Sequence, residues 1–183
     1  MRAMPEIAGV RLLPLERTSD GWTVFDAAAD TGVVPVQWNV VRSRPHVMRG
    51  VHVHVRHDDY LILLRGHASI GLRDLREGSP TCGAVGVVEL RGDAPAALTI
   101  PPGVAHGFYF HDEAMHVYSV SEYWDMSDEL GCLWSDPALG IPWALGDVVV
   151  SPRDATARPL EQLLDQLRPY QPFCRSTART GAR

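Results

Sequence analysis

The stretch Gly50-Val51-His52-Val53-His54-Val55-Arg56-His57-Asp58-Asp59 holds three of the chain's eight histidines. Its first half alternates valine with histidine, and a period of two marks a β-strand, whose side chains point to opposite faces in turn. His52 and His54 then share one face and converge on one site. Val51, Val53 and Val55 form the other, apolar face, and counting back by twos adds Val47 and Arg49 to it. Imidazoles on the inner face of a barrel need a reason to be there, because an unbonded polar group costs free energy to bury. Solvated histidines on an edge strand are the other reading of the same fragment.

Working outward, further short apolar segments recur about every ten residues. They are Val33–Val41, Tyr60–Leu64, His67–Asp74, Val85–Leu90, Ala97–Ile100, Gly107–Phe110 and Met115–Ser121. Turn residues separate them: Arg65-Gly66, Glu77-Gly78-Ser79-Pro80, Arg91-Gly92-Asp93 and Pro101-Pro102-Gly103. This spacing predicts an all-β sandwich, jelly roll or barrel. One helix is expected near the end, with Pro159 in its first turn and Leu160, Leu163, Leu164 and Leu167 on one face. The organisation expected is a single domain over residues 1–171 and a polar, flexible tail over residues 172–183.

Composition narrows the function. The chain has 183 residues and a net charge of 17 − 22 = −5, which disfavours unspecific nucleic-acid binding. Every basic residue is arginine, so Schiff-base catalysis and a P-loop are excluded. There is no GxSxG elbow and no GxGxxG fingerprint. No apolar run reaches the roughly 18 residues of a membrane span, and residues 1–9 lack the pattern of a signal peptide. Cys82, Cys132 and Cys174 are odd in number and far apart, which suggests neither a disulfide framework nor a metal clip. Cys132 is expected to be a buried structural thiol, and the protein to be cytoplasmic. His46, His57, His67, His111 and His116 are expected at the surface or in packing.

A second fragment, Pro101-Pro102-Gly103-Val104-Ala105-His106, follows the apolar strand Leu98–Ile100. Together the two fragments resemble the paired motifs of the cupin superfamily, through His52, His54, Asp59 and Gly66, then Pro101, Gly103 and His106. Three imidazoles and a carboxylate suit Fe, Mn, Ni or Zn. His52, His54, Asp59 and His106 are therefore one candidate set of ligands for a divalent ion, which would make the chain a metal-dependent oxygenase or isomerase.

A closer resemblance runs from about residue 10 to residue 165. Gln37-Trp38-Asn39, Met48–His52, Asp74–Gly83, Ile100–Phe108 and Trp134–Trp143 resemble the dTDP-4-dehydrorhamnose 3,5-epimerases, the RmlC-type cupins. The resemblance implies a jelly-roll barrel, a homodimer, no cofactor, and acid–base chemistry on a dTDP-linked 4-keto-6-deoxyhexose. Such a reaction removes a proton beside a ketone and returns one to the opposite face, so it needs a base, an acid and donors near the ketone oxygen. Carried over, His52 matches the base, Asp154 its paired carboxylate and Tyr118 the acid. Gln37, Asn39, Arg49, His106, Glu129 and Arg153 match substrate contacts, and Trp124 matches the ring that stacks on thymine.

Three departures stand out. The early D-x-R-G-x-F-x-E element is reduced to Ser19–Phe25, with only Asp20 and Phe25 near their places. The active-site lysine is absent, with Tyr60 closest to its position and Arg56 or His54 as other substitutes. His54 stands where the family has glutamine. These departures also leave room for a catalytically weak sugar-nucleotide-binding protein.

Overall fold

The valine-rich alternation does form strands, because β-branched side chains fit a pleated, half-buried surface. The computed structural model describes residues 5–15, 19, 32–123, 125, 127–171 and 173. Nine strands carry the fold: β1 (Arg11–Pro14), β2 (Gln37–Ser43), β3 (Val47–His54), β4 (Asp59–Arg65), β5 (His67–Asp74), β6 (Val85–Arg91), β7 (Ala96–Ile100), β8 (Val104–Phe110) and β9 (Ala114–Val120). Two short strands follow, β10 (Glu129–Gly131) and β11 (Val149–Val150), then helices α1 (Pro152–Ala155) and α2 (Leu160–Leu167).

The strands form two sheets. One runs β1-β7-β4-β9-β2, and the other runs β10-β3-β8-β5-β6 with β11 added parallel to β3. Leu61, Leu63, Ile70, Leu72, Leu98 and Phe110 belong to the main apolar core between them. This is a cupin jelly roll. The register of β4 on β9 pairs Asp59 with Val120 and Leu61 with Tyr118, so these residues share one face.

The outer face of β3 is covered as well. Val51, Val53 and Val55 pack in one cluster with Leu160, Leu163 and Leu167 of α2. Each such side chain contributes about 1.5–3 kcal/mol on burial. Asp136 caps this helix from a distance, its Oδ2 accepting from the Leu160 N–H at 2.7 Å. The apolar stripe is narrower than the sequence predicts: Leu164 is exposed, and Pro159 is the N-cap rather than a first-turn residue.

The remaining differences are local. β2 begins at Gln37 rather than Val33, and β8 begins at Val104, immediately after the Pro-Pro-Gly turn. Phe173, assigned from sequence to the tail, packs against the α2 cluster. Cys132 is fully buried, and burial pushes its thiol up to about 12. Among the described residues no helix is long and apolar enough to cross a membrane.

Candidate active site

The site depends on an irregularity in β3. Arg49 pairs with Phe108 of β8, whereas His52 pairs with His106, so three steps on β3 match two on its neighbour. That is a β-bulge, and it reverses the parity of the side chains beyond it. Gly50 makes the bend at φ 100, and a Cβ there would lie 2.8 Å from the His106 carbonyl oxygen. As a result Arg49 joins His52 and His54 on the inner face. This corrects the period-two count, which grouped Arg49 with the valines.

The inner face opens on a cavity of about 270 Å³ between the sheets. Arg49, His52, His54 and His106 line it from the β3–β8 side, and Asp59, His116 and Tyr118 line it from β4 and β9. Glu129 enters from β10, where it pairs with His54, and Asp154 and Arg153 enter from α1. Gly131 sits opposite His52 on β10, and its missing side chain matters: a Cβ there would lie 3.2 Å from the His52 ring.

His52 Nε2 is 2.9 Å from Asp154 Oδ1. A carboxylate only accepts, so Nε2 carries the proton and Nδ1 is the nitrogen left for chemistry. Ser151 holds the carboxylate from the other side: its hydroxyl donates to Asp154 Oδ2 at 2.9 Å and accepts from the Asp154 N–H at 3.1 Å. Burial opposes ionisation of Asp154, but the bonds from His52, Ser151 and the Gly50 backbone outweigh it and hold the carboxyl below its usual range. His52 Nδ1 lies 3.2 Å from Glu129 Oε1, which is also 3.1 Å from Arg153 Nη1. Two flanking carboxylates suit the imidazolium that a histidine becomes on accepting a proton.

Tyr118 faces this pair from the other sheet. Burial, with the charges of Asp59 and Glu129 adding to it, raises its phenol pKa, so the hydroxyl keeps its proton at neutral pH. His116, two residues away on the same face of β9, is buried, and burial together with the Arg49 charge lowers it to about 4. A histidine–carboxylate pair and a protonated tyrosine on facing walls can remove a proton from one side of a carbon and supply one from the other.

A second cluster lies deeper in the cavity. Asp59 Oδ2 is 3.5 Å from His54 Nε2 and 3.7 Å from His106 Nε2, and Asp59 Oδ1 is 3.9 Å from His57 Nε2. Burial raises the Asp59 carboxyl to about 7 and lowers His106 to about 4; it also lowers His54. His57 shifts the other way, because its contacts with Asp128 and the charge of Asp59 outweigh burial.

Other expected residues lie elsewhere. Tyr60 is fully buried on the outer face of the β4 sheet, in a cluster with Val33, Ile62 and Ala97. It alternates with Asp59 and Leu61, which line the cavity, and so cannot stand in for a pocket lysine. Arg56 is directed to Asp125 and Asp128. Of the three suggested substitutes only His54 reaches the pocket. Gln37 and Asn39 share the inner face of β2 with Val41, and the Gln37 amide donates to Asn39 Oδ1 at 3.2 Å; they stand outside the cavity lining. Trp124, Asp20 and Phe25 lie outside the described residues.

His57 and His116, expected at the surface or in packing, line the cavity. His116 carries a legible signal, since it lies two residues from Tyr118 on a strand. His57 follows a bend and carries none.

A jelly roll with a histidine–carboxylate pair and a tyrosine on facing walls belongs to the acid–base class of cupin enzymes. Residues 22–162 match the family model described as dTDP-4-dehydrorhamnose 3,5-epimerase. The chain is 34% identical over 135 residues to the dTDP-4-dehydrorhamnose 3,5-epimerase of Shigella flexneri, covering 72% of this chain and 75% of that one. It also superposes on the RmlC epimerase of Legionella pneumophila, solved with dTDP-4-keto-L-rhamnose, with a TM-score of 0.76 and 31% identity, covering 85% and 90% of the two chains. The 4-keto-6-deoxy sugar epimerase NovW of Streptomyces spheroides gives 0.79 and 30%, covering 88% and 87%. The chain belongs to the dTDP-4-dehydrorhamnose 3,5-epimerase family, and its enzyme class is that of an epimerase.

Proposed function

We propose that this enzyme inverts C3, C5 or both in a dTDP-linked 4-keto-6-deoxyhexose. His52 removes the proton next to the ketone, Asp154 holds its tautomer, and Tyr118 delivers a proton to the opposite face. The observation that carries this reading is the 2.9 Å contact between His52 and Asp154 in a cavity that Tyr118 lines from the facing sheet. Removing a proton α to a ketone generates an enolate, which neighbouring donors must hold.

The cavity volume suits a hexose ring, which leaves the nucleotide at the mouth. Arg49, Glu129 and Arg153 contact the sugar and diphosphate in this reading, and the His106 ring stands beside the sugar. Gln37 and Asn39 serve the outer part of the substrate, and Trp124 stacks on the base. The proton transfers themselves need no cofactor.

We further read the enzyme as a homodimer formed through the outer face of β2. Trp38 and Val40 are exposed there on an edge strand, with exposed Val36 just before it, and an uncovered apolar edge favours association. Light scattering on the purified protein tests this.

The test of function is proton NMR of dTDP-4-keto-6-deoxyglucose in D2O with the enzyme. Loss of the H3 or H5 signal is expected, and the carbon that exchanges names the epimerisation. Absence of exchange at both carbons with native protein, or full exchange with His52→Asn, would overturn the reading.

A further inference from the structure

We propose that His54, His57 and Asp59, completed by His106, form a binding site for one divalent first-row transition cation. One ligand atom from each of the first three lies within 4.8 Å of the others, and all three residues are buried. The separations from the Asp59 oxygens, 3.5, 3.7 and 3.9 Å, are too long for good hydrogen bonds. They are close to the spacing of about 3.4 Å between ligands arranged tetrahedrally at about 2.1 Å from an ion.

The far side of the rings supports the same reading. His57 Nδ1 lies 2.6 Å from Asp128 Oδ2, and Asp128 is itself anchored by the Val55 N–H at 2.9 Å. His106 Nδ1 donates to the Val104 carbonyl at 3.1 Å. The Val104 contact fixes the His106 proton on Nδ1 and leaves its Nε2 lone pair facing Asp59, the arrangement that metal-binding histidines use, and the Asp128 carboxylate stands behind His57 in the corresponding place. His54, 8% exposed, has a buried Nδ1 with no hydrogen-bond partner. Three imidazoles and one carboxylate suit Zn, Fe, Mn or Ni.

The set differs from the one suggested by the HxH spacing. His52 Nε2 is held by Asp154, and its Nδ1, the nitrogen left for chemistry, faces Glu129 rather than Asp59, so His57 takes its place. A second group, His67, Glu89 and His111, is partly exposed on the far side of the barrel. Its members already have hydrogen-bond partners: His67 Nε2 lies 2.7 Å from Glu89, and His111 Nε2 lies 2.7 Å from the Ser69 hydroxyl, which also donates to Glu89. It therefore serves as a control. An ion in the buried site would place positive charge in the pocket of a chain that has no lysine, where an enolate oxygen could use it. That use rests on the epimerase reading; the binding does not.

The test is calorimetric titration of the chelator-stripped full chain with Zn²⁺, repeated with Co²⁺ and followed by absorption. One equivalent should bind the wild type. His57→Gln and Asp59→Asn should each weaken binding by more than about tenfold, and His111→Gln should leave it unchanged. His52→Gln should keep the ion while losing proton exchange. A Zn²⁺-dependent rise in the unfolding temperature of the wild type, absent in Asp59→Asn, is an independent readout should His57→Gln fold poorly. Absence of saturable one-equivalent binding overturns the site, as does loss of the ion in His52→Gln or His111→Gln with retention in His57→Gln and Asp59→Asn. No sugar is present in the titration, so failure here leaves the epimerase reading standing, and failure of proton exchange leaves the metal site standing.

Discussion

His52 and Asp154 are 102 residues apart in the chain, and their Nε2 and Oδ1 atoms are 2.9 Å apart in the fold. Asn at position 154 would keep the shape of the side chain while removing the charge that stabilises an imidazolium. Asp154→Asn should slow proton exchange by about 100-fold or more, with little change in KM. Steady-state kinetics alongside NMR exchange measures both quantities.

Tyr118 approaches from the other sheet and should act after the base. Tyr118→Phe retains the ring and removes only the hydroxyl. Epimerised product should fall by about 100-fold, while solvent deuterium still enters at the carbon served by His52. Equal loss of exchange and inversion would show that Tyr118 does not act in a separate step.

Arg153 lies at the cavity mouth beside Glu129 and is half exposed. Arg153→Met removes a charge-assisted contact to phosphate and should raise KM about tenfold with kcat largely spared. Initial rates at increasing salt check this, since affinity should fall with ionic strength less steeply in the variant than in the wild type.

Gly50 carries φ 100 against the His106 carbonyl. Gly50→Ala should cost about 2–3 kcal/mol of stability and lower activity through the displaced His52. Chemical denaturation and turnover of the same preparation give the two numbers.

Asp74 anchors a buried network at the end of β5. It accepts from Arg76 Nε and Nη2 at 2.8 Å each, from Ser79 at 2.6 Å and from Thr81 at 2.7 Å. Burial opposes its ionisation, but these bonds prevail and lower the carboxyl from 3.8 to about 2. The stability it supplies is complete above its unfolded value and is lost as pH falls from about 4 toward about 2. Asp74→Asn should cost about 3 kcal/mol near neutral pH and flatten that part of the acid-denaturation curve.

The long strands were legible because eight or so alternating residues leave a clear period, and α2 was legible from its leucines. β1, β10 and β11 have four, three and two residues and carry no period to detect. The alternation alone singles out His52; its role and its pairing with Asp154 and Tyr118 rest on the family resemblance, because the residues alone do not link positions this far apart. Nearness in sequence to a missing lysine says nothing about which face of β4 Tyr60 occupies. His57 is not legible because the bend at Val55 and Arg56 breaks the strand rule that locates His54.

The bulge at Gly50 means that the wall of the pocket is written in two frames. Before it, odd-numbered positions such as Arg49 face inward; after it, even-numbered positions such as His52 and His54 do. A library built to shift substrate scope has to change parity at that glycine. Randomising one parity throughout β3 would place half its codons beneath α2, where they would be screened for folding instead of chemistry.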